Sequence, residues 1–226
     1  MNDLVILHLS DLHIDGEGRT YSKLLTALLG DIKNQVNSID SNNIVIVVTG
    51  DIIDKGKCNA AANAKKFFQR LKEITENKVK AIYIVPGNHD KKRTDSNAIL
   101  IPAYRGLLNE SNVCLFGKNF RDSLWPLQVA TYEESGYNDL IHYIYNDLFG
   151  MPEIGEIAKN PFGVHTIEID EKKYCFILLN TAWSCVDEKD TRKLILGKFQ
   201  LDEINAQIRN TIENYETDPA WRSRRR

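Results

Sequence analysis

Two periods of apolar residues alternate along the first ninety residues. Residues 4–9 (LVILHL) form a short apolar run that ends in the polar pair Ser10-Asp11. Residues 44–48 and 81–85 repeat the design, ending at Thr49-Gly50-Asp51 and Pro86-Gly87-Asn88. All three predict buried strands that run into loops. Between the first two, Leu25, Leu28, Leu29, Ile32 and Val36 fall at helical spacing, which predicts a helix over 21–37. Between the second and third, Ala64, Phe67, Phe68, Leu71 and Ile74 predict another over 59–76, with Lys65, Lys66, Arg70 and Lys72 around them. Strands alternating with single helices imply a parallel sheet with right-handed crossovers. In such sheets ligands gather beyond the carboxyl ends of the strands, so the polar residues closing each strand are expected to converge.

The pattern weakens after Lys91. An irregular cap or insertion is expected over about 91–161, with helices over 98–108 and 137–149, the second carrying Leu140, Ile141, Ile144 and Leu148. Residues 163–170 and 173–180 then flank Glu171-Lys172 as two strands of a hairpin in a second sheet. A last helix over 200–215 places Leu201, Ile204, Ile208 and Ile212 on one face, and periodicity is lost from Glu216 onward. One domain over 1–218 with a basic tail at 219–226 is the expected organisation, with no internal repeat.

Composition changes this picture little. The 226 residues are 42% hydrophobic and 27% charged, the make-up of an ordinary folded domain. A formal net charge of −2 gives no global attraction to nucleic acid or anionic membrane, so a polyanionic substrate must be handled locally. Cys58, Cys114, Cys175 and Cys185 form no CxxC pair and read as reduced, partly buried cysteines. The N-terminus lacks the basic-then-apolar pattern of a signal peptide, and no stretch has the length of a membrane span. A cytoplasmic protein is expected.

The chemistry lies at the three strand ends. Asp11-Leu12-His13 offers a carboxylate and an imidazole that alternation along an extended segment would put on one side, a pair suited to Mn, Fe, Zn or Co. In Gly50-Asp51-Ile52-Ile53-Asp54 the glycine permits a tight backbone approach, and Asp51 presents two oxygens that can bridge two cations. Gly87-Asn88-His89-Asp90 adds a neutral oxygen ligand beside an imidazole. Each segment alone is an ordinary polar turn; the ordered set, each after an apolar strand, is not what solvated turns produce. No G-x-x-x-x-G-K-[ST] or G-x-G-x-x-G follows a strand, which sets aside a nucleotide-binding P-loop or dinucleotide fold.

With these three motifs the chain resembles the calcineurin-like metallophosphoesterase family. The resemblance is strong over the N-terminal half and loose over 176–183. It implies an α/β fold of the αββα sandwich type, with mixed sheets flanked by helices. It implies two divalent transition ions, Asp11 and His13 holding the first, Asp51 bridging both, and Asn88 holding the second. His89 would be the catalytic histidine, oriented by Asp54, and Asp90 would brace the loop. The reaction implied is in-line attack of a metal-bound hydroxide on phosphorus. The substrate would be a phosphomonoester, phosphodiester, nucleotide or nucleic acid.

The chain departs from the family after the third motif. Members supply further histidines, including a G-H-x-H segment that is absent here, and only His142 and His165 follow His89. Both read as structural. The second metal site is therefore expected to be weak and the activity of this chain in doubt. Either the chain is the front part of a longer protein, or water, substrate or a partner completes the site; the helix over 200–215 and the unusual arginine tail favour the first. The rival from another class is a non-catalytic metal-binding or regulatory module of a larger protein.

Overall fold

Val5–Leu9 (β1), Ile44–Thr49 (β2) and Val79–Val85 (β3) pair in parallel in the order β1-β2-β3, joined by the helices Arg19–Ser38 (α1) and Ala60–Thr75 (α2). The computed structural model describes residues 4–15, 19–54, 59–75, 78–92, 99–102, 125–151, 162–186, 194 and 196–217. Sequential parallel strands with right-handed crossovers put both helices on one face of the sheet, and α1 packs on α2. The stripe that predicted α2 is the stripe that is buried: Ala64, Phe67, Phe68 and Leu71 are all in the core.

The other face of the sheet meets a two-stranded antiparallel hairpin, Gly163–Ile169 (β4) and Lys172–Leu178 (β5). Tyr83 of β3 is the joint: its ring lies 4.5 Å from Phe176 and stacks on His165 at 5.6 Å. His165 is thus a packing residue, as its place among apolar neighbours implied. Helix Lys198–Thr217, the last among the described residues, packs against β4, and Gln207 Oε1 accepts the Val164 N–H at 2.9 Å. The layers are helix, sheet, sheet, helix.

Between the two sheets in sequence come Trp125–Glu134 (α3) and Tyr137–His142 (α4), the latter running into a π-helical segment, Tyr143–Leu148. The helix Lys198–Thr217 is α5. Both α4 and the π-helical segment pack on α2, which places this part of the expected insertion against the main core. Tyr145 Oη accepts the Ile84 N–H at 2.9 Å, so a side chain occupies a donor on β3 that no described strand takes up. Residues 99–102 are helical; the rest of the helix expected over 98–108 lies outside the described residues, as does the tail at 219–226.

Two local expectations change. The hairpin turns at Asp170-Glu171, one residue earlier than the pattern implied, with φ of 48° and 65°. Left-handed backbone at both central residues is the turn that matches strand twist, and aspartate tolerates it better than the lysine that the later register would have required. The strand β1 is less buried than an apolar run suggests, Ile6 being 54% exposed, because exposed Ile6 and His8 alternate with the more buried Val5, Leu7 and Leu9, so that one face of the strand is left open. Cys175 is exposed on β5 and Cys185 is buried; Cys58 and Cys114 lie outside the described residues.

Candidate metal centre

The loops after β1 and β2 alternate polar and apolar residues, and burial sorts them. Leu12, Ile14, Ile52 and Ile53 are all in the core. They pin the two loops together, with the His13 N–H donating to the Asp51 carbonyl at 2.8 Å and the Ile14 N–H to the Ile52 carbonyl at 2.8 Å. The Asp54 N–H returns to the Ile14 carbonyl at 3.1 Å. Apolar anchoring on one side leaves Asp11, His13, Asp51 and Asp54 to face the other.

Asp11 and His13 do meet, but not by strand alternation. The strand ends at Leu9, and Asp11, His13 and Asp51 all have left-handed backbone, at φ of 55°, 43° and 53°. Each such residue costs on the order of 1 kcal/mol or more. Three in one place persist because the buried isoleucines and the cross-loop hydrogen bonds hold them. His13 Nε2 lies 3.9 Å from an Asp11 carboxylate oxygen and 3.9 Å from Asp51 Oδ2. Ser10 Oγ also donates to Asp11 Oδ2.

The loop after β3 enters through Asp51 and Asp90. The His89 N–H donates to Asp51 Oδ1 at 2.8 Å, and His89 Nδ1 lies 3.0 Å from Asp54 Oδ1. The His89 ring meets His13 edge to face at 4.4 Å. Asn88 is half-buried between Gly87 and His89. His142 is exposed on α4, and neither it nor His165 belongs to a ligand group among the described residues.

Asp90 is fully buried and its carboxyl takes main-chain donors: Oδ1 accepts the Ile52 and Ile53 N–H groups at 2.8 and 2.9 Å, and Oδ2 accepts the Gly87 N–H at 2.8 Å. One carboxyl thereby ties the second motif to the third. Burial outweighs those three donors and pushes its pKa up from 3.8 to about 7. The folded pKa lies above the unfolded one, so this group stabilises the metal-free chain below the unfolded value, and that contribution is lost as pH rises through about 7. The urea midpoint of the metal-free chain is expected to fall between about pH 5 and about pH 8. Asp90→Asn cannot titrate and should flatten that fall, while starting lower because its amide faces the Gly87 N–H. A parent midpoint that is level across this range rules the account out.

Lys91 follows Asp90 into the core, where its Nζ donates to the Trp183 carbonyl at 2.9 Å. Asn180 Oδ1 accepts the Trp183 N–H at 3.2 Å, and the Asn180 N–H donates to Gln200 Oε1 at 3.0 Å. This chain of contacts links the third motif to the end of β5 and the start of α5. No pattern marked Lys91 for burial, since a lysine after G-N-H-D reads as solvated.

Among the described residues, two groups have ligand atoms all within 4.8 Å of one another: Asp11, His13 and Asp51, and His13, Asp54 and His89. The first is two carboxylates and an imidazole, a donor set that fits a divalent transition ion. A ligand set of this kind at the carboxyl edge of a parallel sheet defines a candidate metal centre in an α/β protein. The family model for calcineurin-like phosphoesterases matches residues 4–198, and the chain belongs to that family of hydrolases. No curated protein and no solved structure matches it. No described helix is long and apolar enough to cross a membrane.

Proposed function

We propose that this chain is a metal-dependent phosphoester hydrolase working at a dinuclear site. Asp11, His13 and Asp51 would hold one divalent ion, and Asp51 with Asn88 the other. The observation that carries the reading is the convergence of three separate strand ends on Asp51, one of whose oxygens faces His13 while the other receives the His89 N–H. Two such ions, when bound, acidify a shared water and stabilise the attacking and leaving oxygens of an in-line displacement. Asp54 holds His89 through Nδ1, which orients the ring and leaves Nε2 to protonate the leaving oxygen. A phosphomonoester, phosphodiester, nucleotide or nucleic acid fits this chemistry equally.

The test is hydrolysis of an aryl phosphodiester and an aryl monoester by the chain with excess Mn²⁺, beside Asp51→Asn. Mn-dependent turnover that falls at least about 100-fold in the variant is expected, since loss of one charge-stabilising group in a metal site is worth that much. A parent inert with both substrates, while still binding Mn²⁺, would favour the competing reading of a non-catalytic metal-binding module. The absence of any histidine after His89 from both ligand groups among the described residues is what keeps that reading alive.

A further inference from the structure

We infer that His13, Asp54 and His89 form a second position for a soft divalent ion, alternative to the Asp11–His13–Asp51 group, and that Zn²⁺ or Cu²⁺ settling there silences the histidine. The inference rests on the phosphoesterase reading only in taking His89 as the proton carrier. Around a tetrahedral zinc, ligand atoms about 2.0–2.1 Å from the ion lie about 3.3 Å from one another. The His89 Nδ1 to Asp54 Oδ1 separation of 3.0 Å is within a few tenths of that. All three ligand atoms lie within 4.8 Å of one another, so modest side-chain rotation closes the set. The two imidazoles cross at 82° with centroids 4.4 Å apart, a spacing at which both can turn a nitrogen toward one ion without their rings colliding.

The donor chemistry separates the two groups. Asp11–His13–Asp51 has one nitrogen and two carboxylates, which suits Mn²⁺; His13–Asp54–His89 has two nitrogens and one carboxylate, which shifts preference toward Zn²⁺ and Cu²⁺. Burial differs in the same sense. Asp11 has a side chain 68% exposed, whereas those of Asp54 and His89 are 20% and 19% exposed. Both groups need His13, so an ion in one disables the other. Ligation at His89 Nδ1 also displaces the proton that it shares with Asp54, removing the pairing on which its acid role depends. Zn²⁺ should therefore inhibit in competition with Mn²⁺, and added Mn²⁺ should relieve the inhibition.

The experiment uses Cu²⁺ alone as the probe, with pulsed electron paramagnetic resonance counting coordinated imidazoles. Asp11→Asn is the background, because Asp11 is exposed and its loss weakens only the first group. One Cu²⁺ carrying two imidazoles is expected there, and adding His89→Gln should leave one imidazole and weaken binding at least tenfold. A single imidazole in Asp11→Asn, with circular dichroism matching the parent, overturns the proposal. Hydrolysis is read separately: a parent that never turns over while Cu²⁺ holds two imidazoles sinks the phosphoesterase reading and keeps this position. Turnover with one imidazole does the reverse.

Discussion

Replacing His89 with alanine is expected to lower kcat on an aryl phosphodiester by about 10²–10⁴-fold, the usual worth of a positioned proton donor, with KM and bound Mn²⁺ nearly unchanged. The split follows from what His89 touches. Its main-chain N–H, which survives the substitution, is the group that holds Asp51 Oδ1 at 2.8 Å. The Asp11–His13–Asp51 group does not include its ring. What is lost is an imidazole fixed by Asp54 at 3.0 Å and packed edge to face on His13. Asp54→Asn should cost less than His89→Ala, because the imidazole stays and an amide oxygen can still accept the Nδ1 proton and keep the ring oriented. Metal content by mass spectrometry and steady-state kinetics on the same preparations check both statements. If His89→Ala loses Mn²⁺ in proportion to its activity, His89 is a ligand in the working enzyme and the proton-transfer role is wrong.

The sheet was legible because parallel strands buried on both faces read as unbroken apolar runs, and β2 and β3 are such strands. The helices α1 and α2 were legible because a single face of each meets the core. Burial of Leu29, Ile32 and Val36 follows the stripe that predicted α1. Residues 91–161 offered no comparable period. Part of the reason is visible at α3 and just after it, where Thr131 and Ser135 are buried polar residues whose hydroxyls donate to main-chain carbonyls rather than repeat an apolar stripe.

The candidate ligands were legible as types and order, while the way they meet was not. Nothing in Asp11-Leu12-His13 announces two left-handed residues, because a sequence signals positive φ mainly through glycine or asparagine, and strain in other residues is held by tertiary contacts. The same limit explains Asp90. Its likeness to a loop brace could be stated from the motif, but its three main-chain donors come from residues up to 38 positions away. Lys91 was invisible for a simpler reason: its acceptor is the main chain of Trp183, and a carbonyl has no sequence signature.

Gly87→Ala is expected to be the most damaging single change that touches no functional group. Gly87 is not held at positive φ, so backbone freedom is not why glycine stands there; space is. A Cβ on Gly87 would fall inside contact distance of Asp51 Oδ1 and the Asp51 nitrogen, and 2.6 Å from Asp51 Cγ. Asp51 cannot simply swing aside, because its other contacts are the His89 N–H and His13. Gly50 stands back to back with Gly87, where a Cβ would lie 2.5 Å from the Gly87 nitrogen, so the β3 loop has no room to retreat either. Overpacking of this kind typically destabilises by about 1–3 kcal/mol. The larger effect should be on the site, since any relief displaces the one carboxylate both ions would share, and Mn²⁺ affinity should fall by a factor of about 10–100, as when a group that orients ligands is disturbed. Gly30→Ala is the control: it lies in α1 with nothing within 4 Å of a Cβ, and should be neutral or stabilising by up to about 1 kcal/mol. Calorimetric titration of Mn²⁺ with thermal melts of both variants reads the two effects apart. A Gly87→Ala chain that binds Mn²⁺ like the parent would show that Asp51 is placed by its own loop, and that the close approach of the two glycines is incidental to the site.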